Sequence, residues 1–248
     1  MADLVLQERA GEVVILTLNR PERGNALDPA TVETLTAAVE CAPADGAGLI
    51  VIGGEGRHFC TGFDLSGLDQ ASDGDLLLRF VRIERLLRLV YESPVPVMAL
   101  AKGRVIGAGA DLFCAAMHRV AAPEATFRMP GWRFGLALGT RRLGDRVGND
   151  VARLILLEDR VLDAELARTI GLATEITPEP GWPAAIAAAS GGNRLTPEAA
   201  ALLLGLTVPR HGDADMAALV ESASRPGLRQ RLQAYRDAAR SRDGATER

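Results

Sequence analysis

Strand-like and helix-like segments alternate up to about residue 125 and then give way to helices alone, which predicts an α/β layered core with crossover connections and a helical C-terminal section. Three observations carry this expectation. Leu49 to Ile52 is a short continuous apolar run closed by Gly53-Gly54, as expected of a strand covered on both faces. Asp28-Pro29 and Thr196-Pro197 each place a capping side chain before a proline that fits the first helical turn. Glycine-bearing turns follow several of the apolar runs, where a strand hands over to a helix.

In order, Val13 to Leu18 is rich in β-branched residues and stops at Asn19-Arg20-Pro21, so it reads as a strand leaving the core. The helix opened by Asp28 carries Val32, Leu35, Ala38 and Val39 as its buried stripe. After the strand at 49–52, Leu76 to Val90 has the period of a long amphipathic helix, and Val95 to Ala101 reads as another strand entered through Pro94 and Pro96. Gly103 to Gly109 reads as a turn feeding a helix to about Ala116, and Arg119 to Ala122 as a short extended piece. Asp163 caps a helix that Gly171 terminates. Ser190 to Asn193 marks the boundary before the C-terminal helical segments Ala200 to Leu206, Met216 to Val220 and Leu228 to Tyr235, giving a core over 1–192 and a helical section over 193–248.

Composition narrows the function. The 248 residues are 48% hydrophobic, ample for a sizeable core. A net charge of −4 argues against a surface built to neutralise nucleic acid. Lys102 is the sole lysine, so nearly all positive charge is arginine, which suits bidentate phosphate contacts but also follows from an Ala/Arg/Gly-rich coding bias. Cys41, Cys60 and Cys114 are too few and scattered for a disulfide framework. Met1 to Arg9 lacks the basic flank and apolar stretch of a signal peptide, and no apolar run approaches the roughly 20 residues of a membrane span, so a cytoplasmic location without membrane association is expected.

Two turns could expose main-chain donors: Phe59-Cys60-Thr61-Gly62-Phe63-Asp64-Leu65 and Gly103-Arg104-Val105-Ile106-Gly107-Ala108-Gly109-Ala110-Asp111. A glycine beside an N–H lets a ligand approach the backbone, and the first turn of a helix has free donors and the positive end of the helix dipole. Those are the ingredients of an oxyanion hole, although such turns also occur as close packing. A dinucleotide fold would need its glycine fingerprint at the first strand–helix junction, which here reads Asn19-Arg20-Pro21-Glu22-Arg23. Leu65-Ser66-Gly67 is not a nucleophile elbow, and His58, Cys60, Cys114 and His118 are too few for a closed zinc site.

Taken together and in order, these motifs resemble the crotonase (enoyl-CoA hydratase/isomerase) superfamily over roughly residues 10–175. Leu18-Asn19-Arg20-Pro21-Glu22 with Asn25-Ala26-Leu27-Asp28 is similar to its first CoA-binding loop, His58 to Leu65 to its Ala-Gly-Ala-Asp-Leu turn, and the turn ending at Asp111 to its third block. Asp163 to Ala173 resembles the segment before its C-terminal helices. The resemblance implies a β-β-α spiral core with a helical C-terminal oligomerisation section, assembled as a homotrimer or homohexamer. It implies an acyl-CoA substrate with coenzyme A as part of that substrate, no separate cofactor and no metal, and lyase or isomerase chemistry.

Carried over residue by residue, the oxyanion-hole N–H groups fall on Phe63 and Ala108. The substrate-binding positions fall on Arg23, Gly24, Ala26, Asp64, Leu65, Gly107, Pro130, Gly131 and Trp132. Asp111 stands where a hydratase carries its first glutamate; some dienoyl-CoA isomerases have aspartate there. The second glutamate is missing, because Gly131 follows Pro130, with Trp132 and Arg133 as an aromatic plate and a cation beside it. General acid/base help is worth about 10²–10⁴ in rate, so two-glutamate hydration should be badly impaired. Glu84 or Asp69 is a candidate replacement acid without a supporting motif. The competing reading is a non-catalytic acyl-CoA-binding or interaction protein that keeps the fold.

Overall fold

A computed structural model describes residues 3–192 and 195–246, so Asn193, at the expected boundary, lies outside the described residues. The chain opens with an antiparallel pair, β1 (Val5–Ala10) and β2 (Val13–Leu18), with Val5 opposite Leu18. Helix α1 (Pro29–Cys41) begins where Asp28 caps it by accepting from Thr31 N at 2.8 Å, a contact worth about 1 kcal/mol. Then come β3 (Leu49–Gly54), α2 (Asp73–Tyr91), β4 (Val97–Ala101), β5 (Arg104–Ile106), α3 (Ala108–Ala115), β6 (His118–Ala121) and β7 (Thr126–Arg128). Helices α4 (Thr140–Val147) and α5 (Asn149–Glu158), β8 (Leu162–Asp163), α6 (Ala164–Thr169), β9 (Glu175–Ile176) and α7 (Trp182–Gly191) complete the core, followed by α8 (Pro197–Thr207), α9 (Gly212–Ala223) and α10 (Leu228–Thr246).

The strands form two sheets, one of six strands in the order β1-β2-β3-β4-β6-β9 and one of three in the order β5-β7-β8. The chain steps repeatedly from the larger sheet to the smaller and then into a helix. Thus β3 leads through Cys60, bridged to Val105, into α2; β4 leads through β5 into α3; and β6 leads through β7 towards α4. This is a spiral of β-β-α turns, as the family resemblance implies, and it brings residues 60–63 beside residues 105–108. Strand β3 is buried on both faces, as its apolar run predicts. Ile50 and Ile52 enter the main core with Leu16, Leu35 and Phe113, while Leu49 and Val51 pack with Met98, Leu100, Val120 and the partly buried Trp182 of α7.

Two expectations need correction. The stretch from Gly103 to Gly109 is not simply a turn, since Arg104–Ile106 forms β5, parallel to β7 with Val105 opposite Phe127; three-residue strands leave no readable period. The strand expected from Val95 begins at Val97, because the Ser93 hydroxyl both donates to Val95 O (2.7 Å) and accepts from Val95 N (3.2 Å), holding that residue in a local turn. Conversely, α2 starts ahead of its apolar pattern. Ser72 accepts from Asp75 N while the Asp75 carboxylate accepts from Ser72 N, a reciprocal cap that no hydrophobic spacing reveals.

The C-terminal helices α9 and α10 pack on α2. Leu219 and Ala223 of α9 and Leu228 and Leu232 of α10 share a core with Leu76 and Phe80 of α2 and with Leu136. Helix α10 thereby walls one side of the cleft described next, through Leu232 and Tyr235. Helix α8 instead leaves Leu202, Leu203 and Leu206 exposed.

Candidate active site

The cleft lies where the turn after β3, the start of α3, the 129–138 segment and α10 meet. Its empty volume is about 670 Å³, and it is lined by Phe63, Leu65, Gly107, Ala108, Asp111, Pro130, Gly131 and Trp132 among others. Eight of the expected site residues are therefore neighbours in space. The remaining wall is apolar apart from Thr61, with Phe80, Phe134, Leu136, Leu138, Leu156 and Leu232, and with Tyr235 beside Phe134 at 5.1 Å.

Two glycines let the strand-ending turns touch. Gly62 has φ +91°, a left-handed conformation that side chains disfavour, and a Cβ there would sit 2.5 Å from Ile106 O and 3.3 Å from Ala108 N. Gly109 lies directly against the Cys60 carbonyl, where a Cβ would collide. The adjoining main-chain bonds then orient Phe63. Leu27 N donates to Gly62 O (2.7 Å) and Asp64 N donates to Leu27 O (3.2 Å), so this parallel bridge uses the groups flanking Phe63 and turns the Phe63 N–H the other way. Ala108 is the first residue of α3, where a helix leaves its N–H unpaired. Among the described residues, neither N–H has a protein acceptor.

The Phe63 ring does not fill the gap freely. It stacks on Phe80 at 4.2 Å and 16°, and the Arg79 guanidinium lies 4.1 Å from its centroid. The side chain is thus fixed as part of the apolar wall, which narrows the cleft beside the two amides.

Asp111 sits one turn into α3, its N–H donating to Gly107 O, and α3 is buried along its whole length. Its carboxyl borders the cleft and is pressed against Gly139, where any side chain would collide with it. Burial pushes the Asp111 carboxyl well above the usual range; Arg142 opposes the rise and Glu84 adds to it. Asp111 is the only carboxylate among the described residues lining the cleft.

Position 131 supplies no acid, and its backbone is engaged. Gly131 O accepts from Leu136 N at 3.0 Å, and a Cβ on Gly131 would lie 3.1 Å from Leu136 O. Trp132 is half exposed and donates from Nε1 to Thr140 Oγ1 at 3.2 Å, standing between the cleft and a neighbouring groove. Arg133 faces that groove, 3.9 Å from Asp159.

The first-loop positions are placed at the edge and not in the cleft wall. Gly24 packs against Thr61, whose N–H donates to Gly24 O at 2.9 Å, while Arg23 is exposed and Ala26 buried. Asp64 is occupied structurally. Its carboxylate accepts from Arg20 at 2.9 Å and from Ser66 N at 2.8 Å, contacts that outweigh its partial burial and hold its pKa below the usual range.

Neither candidate replacement acid reaches the cleft. Glu84 is gripped by both terminal nitrogens of Arg142, and Asp69 pairs with Arg236 at 3.0 Å on the outer side of α10. The Glu84–Arg142 pair, with Asp215 of α9 at 3.4 Å from Arg142, is the part of the site that sequence reasoning missed. Its members come from three helices far apart in the chain, and no local spacing joins them.

The thiols near the site are inert by burial. Cys60 is pushed up to about 12 and Cys114 to about 11, whereas Cys41 is exposed. Iodoacetamide at pH 8 should therefore label Cys41 alone in the native protein and all three cysteines in denaturant, as read by intact mass.

Comparison with known proteins agrees with this architecture. Residues 8–184 match the family model described as Enoyl-CoA hydratase/isomerase. The chain is 40% identical over 171 residues, 68% of each chain, to the Mycobacterium bovis protein named "Probable enoyl-CoA hydratase echA6". It superposes with a TM-score of 0.93 and 45% identity on the crystal structure of a "putative enoyl-CoA hydratase/isomerase" from Bordetella parapertussis, covering 94% of this chain and 98% of that one. An enoyl-CoA hydratase from Bacillus halodurans shares the fold at 20% identity, with a TM-score of 0.83. With the family model spanning most of the chain and these relatives covering two thirds of it or more, the protein belongs to the enoyl-CoA hydratase/isomerase family.

Proposed function

We propose that the protein binds an acyl-CoA thioester, polarises its carbonyl oxygen with the N–H groups of Phe63 and Ala108, and moves a single proton with Asp111. The observation that carries this reading is a cleft lined by one carboxyl and by Phe63 and Ala108, whose main-chain N–H groups have no acceptor among the described residues. A 3-enoyl thioester fits such a site. Ionised Asp111 takes the α-proton, the electron pair moves onto the carbonyl oxygen as an enolate held by the two amides, and the protonated carboxyl returns the proton at the γ-carbon. One group thus serves as base and acid, and no water is activated. Each amide contributes about 2.7–4 kcal/mol to the transition state in sites of this kind.

Standard hydration needs a second carboxylate, and Gly131 cannot provide one. Coenzyme A would lie along the edge formed by Arg23, Gly24 and Ala26, and the acyl group against the apolar wall of Phe63, Phe80 and Leu136. The exposed leucines of α8 support an oligomerisation role for the 193–248 section.

Incubation with trans-3-hexenoyl-CoA in deuterated buffer tests this directly. The expected result is conversion to the 2-enoyl ester, with deuterium at the γ-carbon wherever the protonated carboxyl exchanges with solvent before returning its proton, and hydration of crotonyl-CoA slower by about 10² or more. Because Asp111 must be ionised to act as a base and burial raises its pKa, the isomerisation rate should climb with pH instead of reaching its plateau near pH 5. Binding of esters with neither isomerisation nor deuterium uptake in any of them would favour a non-catalytic carrier.

A further inference from the structure

Asp111 adjoins a closed ionic cluster. Gly139, pressed against its carboxyl, is the residue before α4, and Arg142 follows in the first turn of that helix. Side-chain exposure is 2% for Arg142 and 1% for its partner Glu84, so this pair is wholly out of water. Glu84 accepts from both terminal nitrogens of the guanidinium, Asp215 lies 3.4 Å from one of them, and Asp215 also accepts from Arg141 at 2.8 Å. Arg142 Nε is buried without any partner. Two carboxylates and two guanidiniums are thus already matched, and an ionised Asp111 would be a third, uncompensated negative charge at the edge of a low-dielectric cluster.

We propose that Glu84 and Arg142 are positioning residues for Asp111: by engaging the Arg142 guanidinium from the far helix, Glu84 governs how readily the Asp111 carboxyl releases and recovers its proton. The role of the pair in catalysis rests on the proton-transfer reading above, while its control of Asp111 does not. Removing the Glu84 charge leaves Arg142 free to stabilise ionised Asp111. Removing Arg142 alone strands a buried glutamate and raises the cost of a second carboxylate beside it. The directions of influence on Asp111 agree, with Arg142 favouring the ionised form and Glu84 opposing it after burial itself. The other ionisable neighbours do not compete. Tyr91 of α2, 5.7 Å from Arg142, has its hydroxyl tied to Asp145 at 2.8 Å; Arg146 lies over the Tyr91 ring; and Cys114 of α3 stays a thiol.

The test is a carboxyl carbon NMR titration of protein labelled with [γ-13C]aspartate, with the Asp111 signal assigned by its loss in Asp111→Asn. Glu84→Gln, which keeps the hydrogen-bonding shape, should lower the Asp111 midpoint by about one pH unit or more, and the pH profile of 3-hexenoyl-CoA isomerisation should move with it. Asp215→Asn, at the edge of the cluster, should lower it less and serves if Glu84→Gln does not fold. The double variant Glu84→Gln/Arg142→Met should bring the midpoint back up, since both influences are gone. A midpoint that stays in place or rises in the folded single variants overturns the proposal, whatever happens to melting temperature. A midpoint that moves in a protein that never isomerises an ester upholds the pairing and defeats the proposed reaction instead.

Discussion

Asp111→Asn should lower isomerisation of 3-hexenoyl-CoA by about 10²–10⁴, the usual worth of an acid/base group, while leaving the affinity for butyryl-CoA unchanged. The two readouts separate because the amides proposed to hold the carbonyl are main-chain groups of Phe63 and Ala108, which the substitution does not touch. The same variant should be more stable than the native protein. Asp111 has its pKa raised in the folded state by burial, so the folded protein binds more protons than the unfolded one between the ordinary aspartate range and the raised value. Stability from this group is therefore full below the ordinary range and is lost as pH rises towards the folded value. At neutral pH the native protein carries that cost and the asparagine variant does not. The expected gain is a higher Tm at neutral pH that shrinks towards zero near pH 3. Scanning calorimetry at several pH values checks it; a gain independent of pH would mean that the carboxyl is not strained by burial.

Gly62→Ala should cost about 10²–10³ in kcat, the loss seen when one oxyanion donor is displaced. A methyl at this position meets Ile106 O at 2.5 Å and Ala108 N at 3.3 Å, so the 60–63 turn must retreat from α3 and carry the Phe63 amide with it. Left-handed backbone strain alone is separable by a control. Gly11, in the β1–β2 turn, has φ +62°, and a methyl added there would meet nothing within 4 Å, so Gly11→Ala should reduce stability by a comparable strain of about 1–2 kcal/mol and leave kcat alone. Equal losses of activity in both variants would show that the close approach at Gly62 has no special role.

Much of this arrangement was legible in the residues, for identifiable reasons. Long periodic segments and capped helix starts, such as Asp28-Pro29 before α1, announce themselves because the caps and the buried stripe lie within a few residues of one another. The meeting of the two glycine-bearing turns was also legible, since the motif order singles them out and the fold brings Phe63 and Ala108 to one cleft. Strands β7 and β8, of three and two residues, were not, because their pairing is settled by neighbours and not by their own pattern. Glu84 illustrates the limit more sharply. As a lone acid on an amphipathic helix it invited a catalytic role, and only the packing of α3 against both α2 and α4 shows that Arg142 already claims it. Likewise, Asp64 reads as part of a binding turn, yet its carboxylate is spent on Arg20 and Ser66.

Whether two main-chain donors act on one oxygen is open to direct measurement by infrared difference spectroscopy of butyryl-CoA carrying a 13C thioester carbonyl. Bound to the native protein, the carbonyl stretch should fall to lower wavenumber than in solution, and Gly62→Ala should return most of that shift. A carbonyl band unmoved by saturating native protein, with binding confirmed by calorimetry, would contradict the account.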